Sequence, residues 1–174
     1  MKRTICLIIY YGLARFLPKS NYPYLGKYAK YFRYILCKNI FEYCGENVNI
    51  QRMAFFGSGK KIRIGDFSGL GINCRIHDNT IIGENVLMGP NCYMMANTHL
   101  FDSINIPMRN QGRKKLQDQV IFEDDIWIGR DVMIIGSKKI KTGSILGARC
   151  VLTKNFPEYS IIGGNPGKLI RNRK

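Results

Sequence analysis

The stretch that decides the fold is IGDFSGLGINCRIHDNTIIGENVLMGPNCYM, residues 64–94. A large apolar residue recurs in it at every sixth position, and the same spacing returns between residues 122 and 152. The positions are Ile64, Leu70, Ile76, Ile82, Met88, Met94, Phe122, Ile128, Ile134, Ile140, Leu146 and Leu152. A period of six matches neither the 3.6-residue face of a helix nor a plain alternating strand. It indicates short strands joined by regular corners.

Other positions of the six-residue unit support this interpretation. A small or β-branched residue stands two positions before most of the large ones, as at Ser68, Cys74 and Thr80. Asparagine often stands three positions after, at Asn73, Asn79, Asn85, Asn91 and Asn97. Asparagine tolerates the left-handed backbone conformation that a tight corner needs. The pattern therefore predicts a parallel β-helix in which three units make one triangular coil.

The first coil is predicted to be irregular. Ile50, Phe56 and Ile62 keep the spacing of six, and the pattern then slips by two residues to reach Ile64. The glycine-rich segment 57–59 is expected to turn the chain there, because glycine accepts turn conformations that other residues avoid.

Three short motifs accompany the repeat, namely Asn-Thr-His at 97–99, Ile-Trp-Ile-Gly at 126–129 and Gly-Gly-Asn-Pro at 163–166. With them, about residues 45–171 resemble the hexapeptide-repeat acyltransferases, and more narrowly the galactoside and maltose O-acetyltransferase branch. His-Leu-Phe-Asp at 99–102 resembles members that modify capsular or other surface polysaccharides. The resemblance implies a left-handed β-helix and a homotrimer whose active sites lie between subunits.

The chain is predicted to be mainly β, in three parts. A basic helical cap spans residues 1–44, and a left-handed parallel β-helix spans 45–164. A long loop at 97–119 interrupts this β-helix, and a basic C-terminal tail covers 165–174.

Composition narrows the partners and the compartment. The 174 residues carry a formal net charge of +15, which predicts an anionic partner without naming it. The six cysteines show no C-x-x-C or metal-ligand spacing, so neither a zinc finger nor a redox motif is indicated. Cys74, Cys92 and Cys150 take the small inward position of the repeat, where a reduced thiol packs as a small hydrophobe. We therefore expect a cytoplasmic protein, with the inner face of the membrane as a peripheral location.

The first 41 residues hold eight lysines and arginines and no acidic residue. Their apolar run from Ile5 to Leu17 is too short for a spanning helix, which needs about 20 residues. A basic start would suit a signal peptide, but no clear cleavage site follows. Two amphipathic helices are predicted instead. They are expected to cap the first coil, and their basic, aromatic surface could also rest on an anionic membrane.

Only two histidines are present, His77 and His99, and His99 opens the predicted loop. Loops on a rigid scaffold often carry catalytic groups, yet the residues alone leave catalytic and structural roles equally open for His99. The resemblance implies that His99 is the general base. It would take the proton of an acceptor hydroxyl as that oxygen attacks the thioester of acetyl-CoA directly, with no metal required. Asp102 and Asp78 are the candidates for orienting the imidazole.

The resemblance also implies a cofactor site and an acceptor site. It places Ala148, Thr153, Lys154, Lys168 and Arg171 along acetyl-CoA. Arg130 is also placed on the cofactor, at a position beside the pantetheine arm where the resembled proteins have a small residue. Trp127 could line the cofactor or acceptor pocket, or serve only in packing. Asn97 is read mainly as a corner residue with a second role in the acceptor site, and Asp102 is the other predicted acceptor contact.

These features predict an O-acetyltransferase acting on a saccharide hydroxyl, as part of a surface polysaccharide or its precursor. An N-acetyltransferase of an amino-sugar nucleotide and an antibiotic O-acetyltransferase are the alternatives. A zinc carbonic anhydrase on the same scaffold needs three histidine ligands, whereas this chain has two histidines. A nucleic-acid binder would show basic and aromatic residues interleaved along one face, and only residues 20–41 do so. No nucleic-acid partner is therefore expected.

Overall fold

The computed structural model describes residues 2–95, 97–115 and 119–173, with only the backbone of Lys114 and Lys115. Most of the described chain is short strands wound into a triangular coil. Three helices lie outside the coil, and a 3-10 turn follows the first of them. The helices are α1 (Lys2–Gly12), α2 (Gly26–Ile40) and α3 (Met108–Gln111), and the 3-10 turn is Ala14–Phe16.

The strands of the coil lie on three faces. Face one comprises β1 (Tyr43–Cys44), β3 (Arg63–Ile64), β5 (Thr80–Ile82), β10 (Val120–Phe122) and β13 (Lys138–Ile140). Face two comprises β2 (Asn49–Ile50), β4 (Gly69–Leu70), β6 (Leu87–Met88), β11 (Trp127–Ile128), β14 (Ile145–Leu146) and β16 (Ser160–Gly163). Face three comprises β7 (Tyr93–Met95), β12 (Met133–Ile135) and β15 (Val151–Leu152). All pairings within these faces are parallel.

The strand register shows three six-residue units in a regular coil. Val120 lies opposite Lys138, eighteen residues further along the chain. In the first coil Tyr43 lies opposite Arg63, which makes that coil twenty residues long and confirms the predicted slip of two. Thr80 lies opposite Val120, so the chain leaves the coil between these strands and returns to the same face.

The predicted inward positions form the core. Eleven of the twelve large repeat residues are buried, and Met88 is partly buried against them. Three of the predicted asparagine corners take the left-handed conformation, since Asn73, Asn85 and Asn91 have φ values of 54°, 57° and 60°, whereas Asn79 does not. Coils also approach too closely for side chains at some corners. A Cβ atom at Gly71 would lie 1.9 Å from the carbonyl oxygen of Gly89.

The excursion between the two arrays is a small structure rather than a plain loop. Strand β8 (Asn97–His99) pairs antiparallel with β9 (Arg113–Lys115), and α3 lies at the tip. The Gln111 amide donates to the carbonyls of Ser103 and Ile106, at 2.8 and 2.6 Å. The prediction that Asn97 is mainly a corner residue was wrong, because Asn97 begins β8. Residues 116–118 of the predicted loop lie outside the described residues.

The C-terminal segment is also a strand. Residues Lys168–Asn172 form β17, which pairs antiparallel with β16 and so covers the last strand edge of face two. The last predicted tail residue, Lys174, lies outside the described residues. At the other end the first strand begins at Tyr43, two residues before the predicted start of the coil.

The N-terminal helices pack on the first coil. The buried Tyr10 hydroxyl donates to the carbonyl of Ala54 at 3.0 Å, and the Tyr11 hydroxyl donates to the carbonyl of Gly57 at 2.9 Å. The Tyr10 and Phe56 rings lie 4.6 Å apart, centroid to centroid. Aromatic packing of this kind adds to the burial of the ring surface, so the helices close the open end of the core.

Arg33 of α2, one of the eight basic residues of the first 41, is fully buried. Its Nε donates to the carbonyl of Ile50 at 2.6 Å, and its Nη1 donates to the carbonyl of Pro18 at 3.0 Å. Its Nη2 donates to the Ser20 hydroxyl at 3.2 Å. Burial lowers the pKa of this guanidinium, and arginine remains charged in proteins. Arg33 therefore ties α2, the 17–20 segment and the first coil together.

We expect Arg33→Ala to lower the free energy of unfolding by about 3 kcal/mol, because it leaves buried carbonyls unpaired and opens a cavity. The matched control is Lys27→Ala, on the exposed side of α2, which should cost less than about 0.5 kcal/mol. Urea unfolding followed by circular dichroism measures both values. Equal losses for the two variants would contradict the structural role of Arg33.

Candidate active site

His99 is exposed at the end of β8, where face three passes to face one. The antiparallel pairing of β8 and β9 sets its backbone opposite Arg113. Neither predicted orienting acid bonds to it among the described residues. Asp102 is exposed three residues on, and the Asp78 carboxylate accepts a hydrogen bond from the Ser58 hydroxyl at 2.8 Å. The imidazole is therefore open to a substrate from solvent.

A groove of about 430 Å³ follows face two and its corner with face three. Trp127, Arg130 and Ala148 line it together with the backbone of Gly89 and Gly129. The Trp127 side chain remains 57% exposed, so it is a wall of the groove rather than part of the core. Three of the predicted cofactor residues thus share one concave surface.

The Asp131 carboxylate, on the rim of the groove, lies close to two arginine side chains. Asp131 accepts a hydrogen bond from the Asn91 amide at 2.9 Å. Arg130 Nε lies 3.3 Å and Arg149 Nε lies 3.9 Å from the other oxygen of Asp131. The Asn91 hydrogen bond, with smaller contributions from the two guanidinium groups, lowers the pKa of Asp131. The rim keeps a net positive charge, which suits an anionic ligand.

Arg149 was missed by the sequence reasoning, although the register could have found it. One coil is eighteen residues long, so residue 149 must lie beside Asp131 at the same corner. Both residues also have a left-handed backbone, with φ of 62° and 57°.

The other predicted cofactor residues lie elsewhere. Thr153 and Lys154 follow β15, at the same corner of the coil that the excursion leaves two coils earlier, after β7. The Lys154 ammonium lies 5.4 Å from the centroid of the Phe156 ring. Lys168 and Arg171 are exposed on β17, at the edge of face two.

A single chain does not bring all of these residues together. His99, Thr153 and Lys154 belong to the corner between faces three and one. Trp127, Arg130 and Ala148 line a groove on face two, and Lys168 and Arg171 lie on the same face. A site that contained every predicted residue would need surfaces from two chains.

The cysteines are unsuited to nucleophilic catalysis. All six are free thiols, and five of them are buried. Burial raises the pKa of the Cys44 thiol to about 12 and that of Cys92 to about 11. The thiolate is the reactive form, so these groups stay protonated and inert near neutral pH. Within the described residues, no cluster of three or more His, Cys, Asp and Glu side chains is arranged to hold a metal ion.

We expect Ellman's reagent to label at most one thiol per native chain quickly at pH 8, namely the half-buried Cys6. All six should react after unfolding in guanidinium chloride. Two or more fast-reacting thiols in the native protein would contradict the buried, protonated state of the others.

Triangular coils of stacked hexapeptide units define a class of solenoid proteins, and this chain has their architecture. No family model matches the sequence. The chain is 33% identical over 118 residues to a putative acetyltransferase of Schizosaccharomyces pombe, covering 67% of this chain and 55% of that protein. It is 29% identical over 138 residues to the galactoside O-acetyltransferase of Escherichia coli, covering 78% of this chain and 66% of that protein.

A solved galactoside acetyltransferase in complex with coenzyme A superposes with a TM-score of 0.75 at 25% identity, covering 98% of this chain and 80% of that one. Sequence and fold together place the chain in the hexapeptide-repeat acetyltransferase family, among the homologues of the galactoside and maltose O-acetyltransferases. The chain spans between about a third and two-thirds of the length of the first curated relatives it matches.

Proposed function

We propose that the protein transfers an acetyl group from acetyl-CoA to a hydroxyl of a saccharide. The observation that carries this proposal is the exposed imidazole of His99 on a hairpin anchored at a corner of a rigid coil. Similarity to galactoside O-acetyltransferases supports the choice of reaction and of acceptor class. Histidine is the side chain best suited to remove a proton near neutral pH.

The transfer proposed is direct. The unprotonated nitrogen of His99 accepts the proton of the acceptor hydroxyl while that oxygen attacks the thioester carbonyl. The tetrahedral oxyanion then collapses, the acetyl ester forms, and coenzyme A leaves as a thiolate that takes the proton from the imidazolium. An acyl-enzyme on cysteine is not needed, and the buried thiols are poorly placed to form one.

The groove on face two is the proposed cofactor site. Trp127 and Ala148 would border the pantetheine arm, and Arg130 stands at the rim although relatives carry a small residue there. Lys168 and Arg171 are the proposed partners of the phosphates, with Lys154 and Thr153 contributing from the other corner. Charge-assisted hydrogen bonds to phosphate are stronger than neutral ones, which favours these cations.

A homotrimer would complete the site. Since His99 and the groove lie at different corners of one chain, we propose that the hairpin of one subunit faces the groove of its neighbour. Exposed apolar side chains on both surfaces support burial there, including Phe101 and Ile104 on the hairpin and Leu87 beside Trp127. Asn97 and Asp102 on that hairpin would then contact the acceptor. The left-handed sense of the coil is part of the same proposal.

The proposed setting is the cytoplasm, where acetyl-CoA is available and the buried thiols stay reduced. A surface polysaccharide or its precursor is the proposed acceptor. An amino-sugar nucleotide or an antibiotic could use the same histidine, so an acceptor panel decides between them. Turnover of amino acceptors without any hydroxyl acceptor would overturn the choice of O-acetylation.

We expect His99→Ala to lower kcat for saccharide acetylation by about 10²- to 10⁴-fold, because the general base is lost. Release of the free thiol of coenzyme A from acetyl-CoA, in the presence of a panel of saccharides, measures this kcat. The matched control is His77→Gln, the other histidine, which should keep kcat within about threefold because the proposed proton transfer uses only His99. Unchanged melting curves for both variants are needed for the comparison. Retained turnover in His99→Ala would assign the base to another residue.

We expect the double change Lys168→Gln with Arg171→Gln to raise KM for acetyl-CoA about tenfold at unchanged kcat, because two phosphate partners lose their charge. Its matched control is Lys60→Gln with Lys141→Gln, two exposed lysines outside β17. Steady-state kinetics with varied acetyl-CoA separates the two parameters. Equal KM values in both double variants would remove β17 from the cofactor site.

A further inference from the structure

The outward face of α2 presents tyrosines and lysines to solvent. The buried positions Gly26, Ala29, Arg33, Leu36, Cys37 and Ile40 face the coil. The opposite side of the helix carries an exposed stripe at helical spacing, made of Lys27, Tyr28, Tyr31, Ile35 and Lys38. Tyr28 and Tyr31 are 64% and 65% exposed. One side of α2 packs against the coil. The other side is exposed and contacts no other element among the described residues.

Two grooves of different character flank this stripe. One, of about 240 Å³, is almost wholly apolar and is lined by Leu17, Pro18, Leu25, Tyr28, Ala29 and Phe32. The other, of about 420 Å³, is cationic and is lined by Lys27, Lys30, Lys38, Tyr31 and Tyr34 with one acidic residue, Glu46. An apolar groove beside a cationic one matches a partner that combines hydrocarbon with negative charge.

The basic residues of the segment divide by type. All three arginines are used within the protein, since Arg33 is buried, Arg3 donates to the carbonyls of Ile40 and Ser58, and Arg15 lies over three aromatic rings. The lysines stay at the surface, where the ammonium groups of Lys27 and Lys38 lie 5.0 and 5.7 Å from the ring centroids of Tyr28 and Tyr34. Lys2, Lys19, Lys27 and Lys38 are exposed and Lys30 is half-buried. With no acidic residue in residues 1–41, this end of the protein has a strong positive field.

We propose that this face, defined as residues 16–38 on their solvent side, docks on an anionic lipid bilayer. Lysines near such a surface each gain attraction from the acidic headgroups. Tyrosine rings suit the headgroup layer, since they have an apolar body and a polar tip. Exposed leucine and phenylalanine, such as Leu25 and Phe16, add apolar area that can enter the boundary with the acyl chains.

Competing occupants fit this face less well. A second copy of the same face would bring lysines against lysines with no acid in the segment to neutralise them. An anionic polymer would use the lysines but would leave Leu25 and the apolar groove without a role. In the described residues no helix has the length and hydropathy to traverse a bilayer, so the contact proposed is interfacial.

Flotation of the full chain with vesicles tests the proposal without acetyl-CoA, so its outcome is independent of the proposed reaction. Vesicles of equal parts phosphatidylglycerol and phosphatidylcholine should carry the protein upward, and vesicles of phosphatidylcholine alone should not. Added salt should weaken the binding. Equal recovery with both vesicle types, or no flotation with either, would overturn the proposal.

Paired variants locate the contact. Lys27→Gln with Lys38→Gln should bind about thirtyfold more weakly, the factor expected for two lysines at an anionic surface. The control pair Lys60→Gln with Lys141→Gln removes the same charge elsewhere and should bind within about threefold of the unaltered protein. Leu25→Ser with Tyr31→Ser should also weaken binding at unchanged charge. If this apolar pair has no effect, or if the control pair loses as much as the lysine pair, a general attraction for anions replaces the membrane site.

Discussion

Hydrogen bonding between coils is the constraint on which the structure depends. Each short strand pairs with the strand one coil away, as when Gly129 N–H donates to the carbonyl of Leu146 at 2.8 Å. These bonds fix the distance between coils at strand spacing, about 4.7–4.9 Å. A Cβ atom at Gly129 would lie 2.6 Å from the nitrogen of Ala148, so only glycine suits that corner. Neighbouring coils must therefore match in strand register and corner geometry, and the two extra residues of the first coil lie outside its paired strands.

That constraint explains where function can be added. A residue inserted within a strand would break the pairing on both sides, whereas a whole hairpin at a corner leaves every pairing intact. The chain leaves after β7 and returns at β10 on the face that the regular coil would have reached. His99 lies at the base of the hairpin, close to strand β7, whose backbone is hydrogen-bonded to the neighbouring coils. A rigid base suits the catalytic role proposed for His99.

The sequence predicted those features that repeat. The spacing of six predicted the core residues, the corners at Asn73, Asn85 and Asn91, and the two-residue slip in the first coil. It did not predict β9 or β17, because antiparallel pairing is set by contacts between distant segments that have no period. The place of His99 at the end of the regular array left its role open, and its assignment as the general base came from the family resemblance and stays a prediction. Arg149 was missed although the predicted coil of three six-residue units places it beside Asp131, because the repeat was read for core and corner residues and not for surface pairs.

The roles of the basic residues are the feature that the net charge of the sequence describes least well. A count treats the eight basic residues of the first 41 alike, yet the structure gives arginines and lysines different roles. A guanidinium has five N–H donors in a fixed plane, so Arg33 can serve carbonyls from three directions at a crowded junction. An ammonium is compact and strongly hydrated, which keeps lysine in water. In the first 41 residues, the arginines therefore stabilise the fold, and the lysines carry the surface charge. The surface charge is what can attract an anionic partner.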